Sequence, residues 1–192
     1  RCRAMKQPIN ILIVGVGGQG TLFAGKVIGS VAERSGFDVK QSEVHGMAQR
    51  GGSVVTYVRF GNNVASPLVE KGEADIIVAF EQLEALRWIE YLKPGGTVIV
   101  NELKISPMPV ITGAAQYPDN IFARLEQAEV NTIRVHAGKL AADSGNPKAL
   151  HIVLLLHENG NVLAAEQREH HAQFHHNVLA RTERLFVFVT ST

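Results

Sequence analysis

The stretch Ile9-Asn10-Ile11-Leu12-Ile13-Val14-Gly15-Val16-Gly17-Gly18-Gln19-Gly20-Thr21-Leu22 decides the fold. Residues 9–14 form a short apolar run that ends in glycines. A β-branched run of this kind needs cover on both faces, so it reads as a buried parallel strand. From 21 to 35, Leu22, Ala24, Val27, Ile28, Val31 and Ala32 recur at helical spacing, and Gly36 supplies a stop. Gly15-Val16-Gly17-Gly18-Gln19-Gly20 between them satisfies G-x-G-x-x-G, after a strand and opening a helix. The first glycine of such a motif allows a tight turn, the second lets a phosphate approach the backbone, and the third lets helix and strand pack closely. Free N–H groups at the helix start then favour an anion. Two readings stand side by side: a ligand loop, or glycines that only permit close strand–helix packing. A dinucleotide would want an acidic residue about 20 positions on. Glu43 is the match, and Asp38 is placed less well.

Working outward, residues 38–43 read as a second strand, 44–52 as a polar loop, and 53–60 as a strand closed by Gly61-Asn62-Asn63. Residues 74–80 read as another buried strand, with a helix over 81–91 behind it. Pro94-Gly95-Gly96 reads as a turn before a strand at 97–100. Pro107, Pro109 and Pro118 mark an irregular segment. A short helix follows at 121–128, a last core strand at 131–135, and a helix from about 137 to 143; Asn146-Pro147 looks like a further helix start. Trp88 and Tyr91, with Leu83, Leu86 and Leu92, read as core or as a partner surface. Strands alternating with helices at short intervals predict a single α/β domain: a Rossmann-like, mostly parallel sheet with helices on both faces.

The chain has 192 residues, 45% of them hydrophobic and 19% charged, which suffices for one domain with a real core. A formal net charge of +1 with scattered Lys and Arg gives nucleic-acid binding no support. The single cysteine, Cys2, excludes a disulfide framework and a four-cysteine iron–sulfur cluster within one molecule, and it fits a reducing cytoplasm. No apolar run is long enough to span a bilayer. Met5 reads as the native start, with residues 1–4 as an upstream remnant.

The unusual stretch is Ser42-Glu43-Val44-His45-Gly46-Met47-Ala48-Gln49-Arg50-Gly51-Gly52-Ser53. Loops leaving the carboxyl ends of parallel strands border the ligand crevice, and sites gather on loops. Arg50 suits a phosphate or carboxylate through its fork of donors. His45 suits acid, base or donor work, and Glu43 can orient either. The plain alternative is a solvent loop whose glycines turn the chain.

Together the glycine loop and this segment closely resemble the gamma-type subunit of the 2-oxoacid:ferredoxin oxidoreductase family, indolepyruvate branch. The stretches 54–61, Ser66-Pro67-Leu68 with 75–84, and 92–101 are similar too, and the resemblance runs from about 7 to 153. It implies an assembled enzyme that decarboxylates an aryl 2-oxoacid on thiamine diphosphate, sends two electrons through iron–sulfur clusters to ferredoxin and passes the acyl group to coenzyme A. Thiamine diphosphate and clusters would belong to a large partner subunit. This chain, inactive alone, would complete the assembly near the active site, with a contact to coenzyme A, and would self-associate when isolated. Gly15, Gly17, Gly18, Gln19, Gly20, Glu43, His45, Gln49 and Arg50 are the candidates for its ligand- or partner-facing crevice. No catalytic step is assigned to any of them. The competing reading is a stand-alone NAD(P)-, flavin- or coenzyme A-binding protein built on the glycine loop and Glu43.

The resemblance stops near Val153. The expectation is therefore a gamma-type domain over 5–153 and an atypical His-rich segment over 154–192, for which a reading-frame change near 154 is one explanation. His171 and His175 are four apart and on a helix would share a face, a zinc-ligand spacing, but the lack of a clear third ligand set beyond Glu166 and Glu169 disfavours metal there.

Overall fold

The computed structural model describes residues 7–45 and 52–139. Six strands form one sheet: β1 (Ile9–Val16), β2 (Asp38–His45), β3 (Ser53–Gly61), β4 (Ala74–Ala79), β5 (Leu92–Asn101) and β6 (Asn131–Val135). The helices are α1 (Thr21–Arg34), α2 (Gln82–Trp88), α3 (Met108–Ile111) and α4 (Ile121–Gln127). The strand order is β2-β3-β1-β4-β5-β6. β1, β4, β5 and β6 pair in parallel, and β3 runs antiparallel to both β1 and β2. Five strands thus point one way, as expected of a mostly parallel sheet, with β3 reversed between β2 and β1.

The reversal has a simple cause. A crossover that keeps two strands parallel needs a dozen residues or more. Only residues 46–52 separate His45 from Ser53, so β2 and β3 must form a hairpin. β2 also runs further than expected, through His45, which shortens the predicted 44–52 loop.

Period-two alternation splits the core into two layers. Ile9, Ile11 and Ile13 of β1 face Ala24, Ile28 and Ala32 of α1, together with Val58, Phe60, Val78 and Phe80. Leu12 and Val14 face the other way, against Leu83 and Ala85 of α2 and Ile121 and Leu125 of α4. Helices therefore cover both faces, and central strands such as β1 are buried along nearly their whole length. Burying a Leu or Ile side chain completely is worth about 1.5–3 kcal/mol, and Leu12, Ile13 and Ile77 are each 0% exposed.

Three expectations need correction. Pro94-Gly95-Gly96 is not a turn ahead of β5 but an irregularity within it: Ala74 pairs with Leu92, and Ile76 already pairs with Thr97. Gly95 takes φ 77°, and a Cβ at Gly96 would stand 3.0 Å from the Asp75 carbonyl oxygen, so the extra residues loop out where pairing with β4 demands it. The helix over 81–91 breaks at Trp88 into α2 and a 3₁₀ turn (Ile89–Tyr91). The proline-marked segment contains α3, with Pro107 as its N-cap. The helix expected at 137–143 begins at Ala137 and is described only to Lys139, while the Asn146 helix start and the boundary at 153/154 lie outside the described residues. Among the described residues no helix is long and apolar enough to cross a membrane.

Candidate functional site

β1 and β4 are parallel neighbours whose following helices go to opposite faces, α1 to one and α2 to the other. The crevice at their carboxyl ends is the position where open α/β sheets take ligands. The glycine loop lies on its β1 side. Gly15 and Val16 still belong to β1, and the turn is made by Gly17, Gly18, Gln19 and Gly20. Gly18 and Gly20 take φ 94° and 83°, a left-handed conformation that glycine adopts without a Cβ penalty. Gly20 caps α1 with no side-chain hydrogen bond, and the first turn of α1 carries no acidic residue.

Gln19 does not project away from the loop. Its Oε1 accepts from Val16 N–H at 2.7 Å, and its Nε2 donates to the Phe80 carbonyl at 3.2 Å. A Cβ at Gly15 would meet Gln19 Oε1 at 2.9 Å, so the first glycine of the motif makes room for this glutamine. The Phe80 carbonyl also accepts from Asn101 Nδ2 at 3.1 Å, and Asn101 Oδ1 accepts from Ala137 N–H at 3.1 Å. The loop after β1 is thereby tied to the ends of β4 and β5 and to the residues after β6.

The hairpin brings the unusual segment to the same edge. Ser53 lies opposite Val16, and Gly17 N–H donates to the Gly52 carbonyl at 2.9 Å. His45 pairs with Val54, which pairs with Gly15, so the end of β2 stands level with the start of the glycine motif. The His45 side chain, Gln49 and Arg50 lie outside what the structure describes. Glu43 pairs with Thr56, which pairs with Ile13, placing it two strands from β1, about 10 Å at ordinary strand spacing. In the dinucleotide arrangement the ribose-binding carboxylate ends the strand next to the first one. Here that neighbour is β3, which removes the geometric support for the NAD(P) reading of Glu43.

The β4 side of the crevice holds groups that the sequence reading passed over. Glu81 is 1% exposed and Glu84 3%. Glu81 Oε2 caps α2 by accepting from Leu83 N–H at 2.8 Å and Glu84 N–H at 3.1 Å. Its Oε1 accepts from Ile105 N–H at 3.2 Å and from the Tyr117 hydroxyl. Burial and the Glu81 carboxylate together push the Tyr117 phenol well above its ordinary value, so it remains a donor. Glu84 accepts from the Ser53 hydroxyl and lies 3.2 Å from Arg87 Nη1; burial, the largest influence, pushes its carboxyl above the ordinary range, and the Ser53 bond and the Arg87 charge act in the opposite sense. The available signal was the pair Glu81-x-x-Glu84 at a strand–helix junction, an acidic residue at the cap and another in the first turn.

Several exposed apolar side chains lie near, or follow in sequence, the carboxyl ends of the parallel strands. Leu22 and Phe23 open α1, Val44 is near the end of β2, and Leu103, Met108 and Ile111 follow β5. Leu68, in the β3–β4 connection, is the exception.

The profile of the pyruvate ferredoxin/flavodoxin oxidoreductase family matches residues 10–167. Indolepyruvate oxidoreductase subunit IorB of Pyrococcus horikoshii is 46% identical over 149 residues, covering 76% of this chain and 74% of that protein. The gamma subunit of a keto/oxoacid ferredoxin oxidoreductase from Geobacter sulfurreducens superposes with a TM-score of 0.56 at 21% identity, over 96% of this chain and 99% of that one. A 2-oxoglutarate:ferredoxin oxidoreductase from Magnetococcus marinus, solved with 2-oxoglutarate, coenzyme A and succinyl-CoA bound, gives 0.57 at 18% identity, over 97% of this chain and 31% of that one.

Proposed function

The chain belongs to the pyruvate ferredoxin/flavodoxin oxidoreductase family, and on that premise we propose that it is the cluster-free, gamma-type subunit of an indolepyruvate-type 2-oxoacid:ferredoxin oxidoreductase. The assembled enzyme converts an aryl 2-oxoacid and coenzyme A to the acyl-CoA and carbon dioxide, and two electrons go to ferredoxin. Thiamine diphosphate and the iron–sulfur clusters are held by the large partner subunit in this reading. The one cysteine of this chain does not fit a four-cysteine cluster. The family domain is taken as 5–153, with 154–192 as a His-rich tail, in a cytoplasmic complex.

One observation carries the reading. The glycine loop and the end of the Ser42-to-Ser53 segment, far apart in sequence, meet through the Gly17 N–H to Gly52 carbonyl bond on the edge that also exposes Leu22, Phe23 and Val44. In this proposal the apolar rim docks on the large subunit. The loop N–H groups and the positive end of α1, with Arg50, favour an anionic group such as a phosphate of coenzyme A or a substrate carboxylate. His45 and Gln49 supply further polar contacts, and Gln19 holds the loop's shape.

The test is co-expression with the large subunit from the same genome, followed by sizing chromatography and an assay of indolepyruvate- and coenzyme A-dependent ferredoxin reduction. Co-elution with activity that this chain enhances is the expected result. Replacing Leu22 and Phe23 with Asp is expected to abolish co-elution while leaving the fold intact by circular dichroism. Separate elution, both of the unaltered chain and of one carrying family-like sequence after Val153, would overturn the proposal.

A further inference from the structure

Ser53 is the residue at which the unusual segment rejoins the sheet, and its hydroxyl is held on two sides. It donates to Glu84 Oε2 and accepts from Trp88 Nε1 at 3.4 Å. Gly52, one residue earlier, is held from the other side of the crevice, its carbonyl accepting from Gly17 N–H at 2.9 Å. Consecutive residues of one segment are therefore gripped by the two strand–helix turns that flank the crevice, Gly52 by the glycine loop and Ser53 by α2.

Glu84 is not needed as a cap, because the Glu81 carboxylate already takes the N–H groups of Leu83 and Glu84. An apolar residue in its place would avoid burying a carboxylate, which is costly unless the group is paired and hydrogen-bonded. Its 3% exposure leaves little contact with water, and its partners include the Arg87 guanidinium and the Trp88 indole on its own helix and the Ser53 hydroxyl on β3. The bond to Ser53 spans 31 positions of sequence and reaches out of α2.

We propose that Glu84 is a positioning residue for the 2-oxoacid reaction: through Ser53 it keeps the Gly52 carbonyl on Gly17 N–H and so sets the glycine loop against the start of β3. This deepens the functional proposal above and rests on its reading that the glycine-loop edge faces the reacting ligands. Trp88 reports the network directly, since it is the single tryptophan in the chain and its indole N–H donates to the same hydroxyl. The other charged groups acting on Glu84 are Arg87 and Glu81.

The experiment uses the full chain for fluorescence and the co-expressed complex for kinetics, with Ser53→Ala, Ser53→Thr, Glu84→Gln and Arg50→Ala. Trp88 emission of the unaltered chain is expected to change as pH rises above the ordinary carboxyl range, and Glu84→Gln is expected to abolish that change. In the complex, Ser53→Ala should lower kcat/KM for coenzyme A or indolepyruvate by roughly tenfold, the scale expected of a small misplacement of binding groups. Ser53→Thr, which keeps the hydroxyl, should restore most of it. The proposal is overturned if Ser53→Ala assembles and shifts Trp88 emission but leaves kcat/KM unchanged while Arg50→Ala lowers it, or if Ser53→Thr is impaired as much as Ser53→Ala. If Arg50→Ala and Ser53→Ala both leave kcat/KM unchanged, the underlying reading of this edge falls as well.

Discussion

Two turns flank one crevice, and they are built from opposite chemistry. After β1 the chain uses glycines and a neutral glutamine, and α1 starts on left-handed Gly20 with no side-chain cap and no acidic residue in its first turn. After β4 the chain uses two buried carboxylates, Glu81 as the cap of α2 and Glu84 in its first turn. A helix start presents unpaired N–H groups and a partial positive charge. α2 neutralises its own start with its own anions, whereas α1 brings none. The same topological position is thus a structural hub on one side and a bare, shaped loop on the other.

The largest expected effect tests the hub. Glu81→Ala removes the acceptor of two α2 N–H groups, Ile105 N–H and the Tyr117 hydroxyl. It should cost about 3–5 kcal/mol in urea unfolding, because buried donors are left without partners. Gln19→Ala, the corresponding change in the glycine loop, should cost only about 1 kcal/mol. Equal losses at the two positions would erase the distinction between hub and loop. Gly15→Ala comes next, at about 1–3 kcal/mol, the usual cost of overpacking, since its Cβ would stand 2.9 Å from Gln19 Oε1. Combined with Gln19→Ala, that loss should be only partly relieved, since Thr21 Cγ2 at 3.1 Å and Phe80 Cβ at 3.2 Å still crowd the added Cβ, and a double-mutant cycle measures the coupling. Strict additivity would mean that Gln19 does not fill the space above Gly15.

The smallest effect concerns pH. The folded-state carboxyl of Glu84 is raised, chiefly by burial, so the folded chain binds this proton more tightly than the unfolded chain. Stability then falls as pH rises from the ordinary carboxyl value to the raised one, and is level above it. Glu84→Gln removes this contribution. The difference in stability between the variant and the unaltered chain, measured by urea unfolding across that window, should therefore move in favour of the variant as pH increases. A difference that does not vary with pH would show that Glu84 titrates as an ordinary carboxyl group.

The elements and their order were legible because their signals are local. The apolar run ending at Gly15, the helical spacing from Leu22 to Ala32 and the stop at Gly36, with φ 85°, each depend on a few neighbouring residues. Pro94-Gly95-Gly96 misled because the same residues make a turn in isolation and a bulge when β4 pairs on both sides of them. Of the site, the glycine loop was visible as a motif. The Ser53–Glu84–Trp88 network was not, since no periodicity or motif links residues so far apart in sequence.

The sequence by itself determined the α/β class, the two-sided core and the family, because each rests on local pattern or on a recognisable string of residues. Only the tertiary structure decided that β3 enters between β1 and β2, moving Glu43 away from β1 and putting Ser53 opposite Val16 instead. Strand order is a choice among pairings that local pattern leaves equally open, settled by which arrangement lets a short hairpin close and both apolar faces be covered at once.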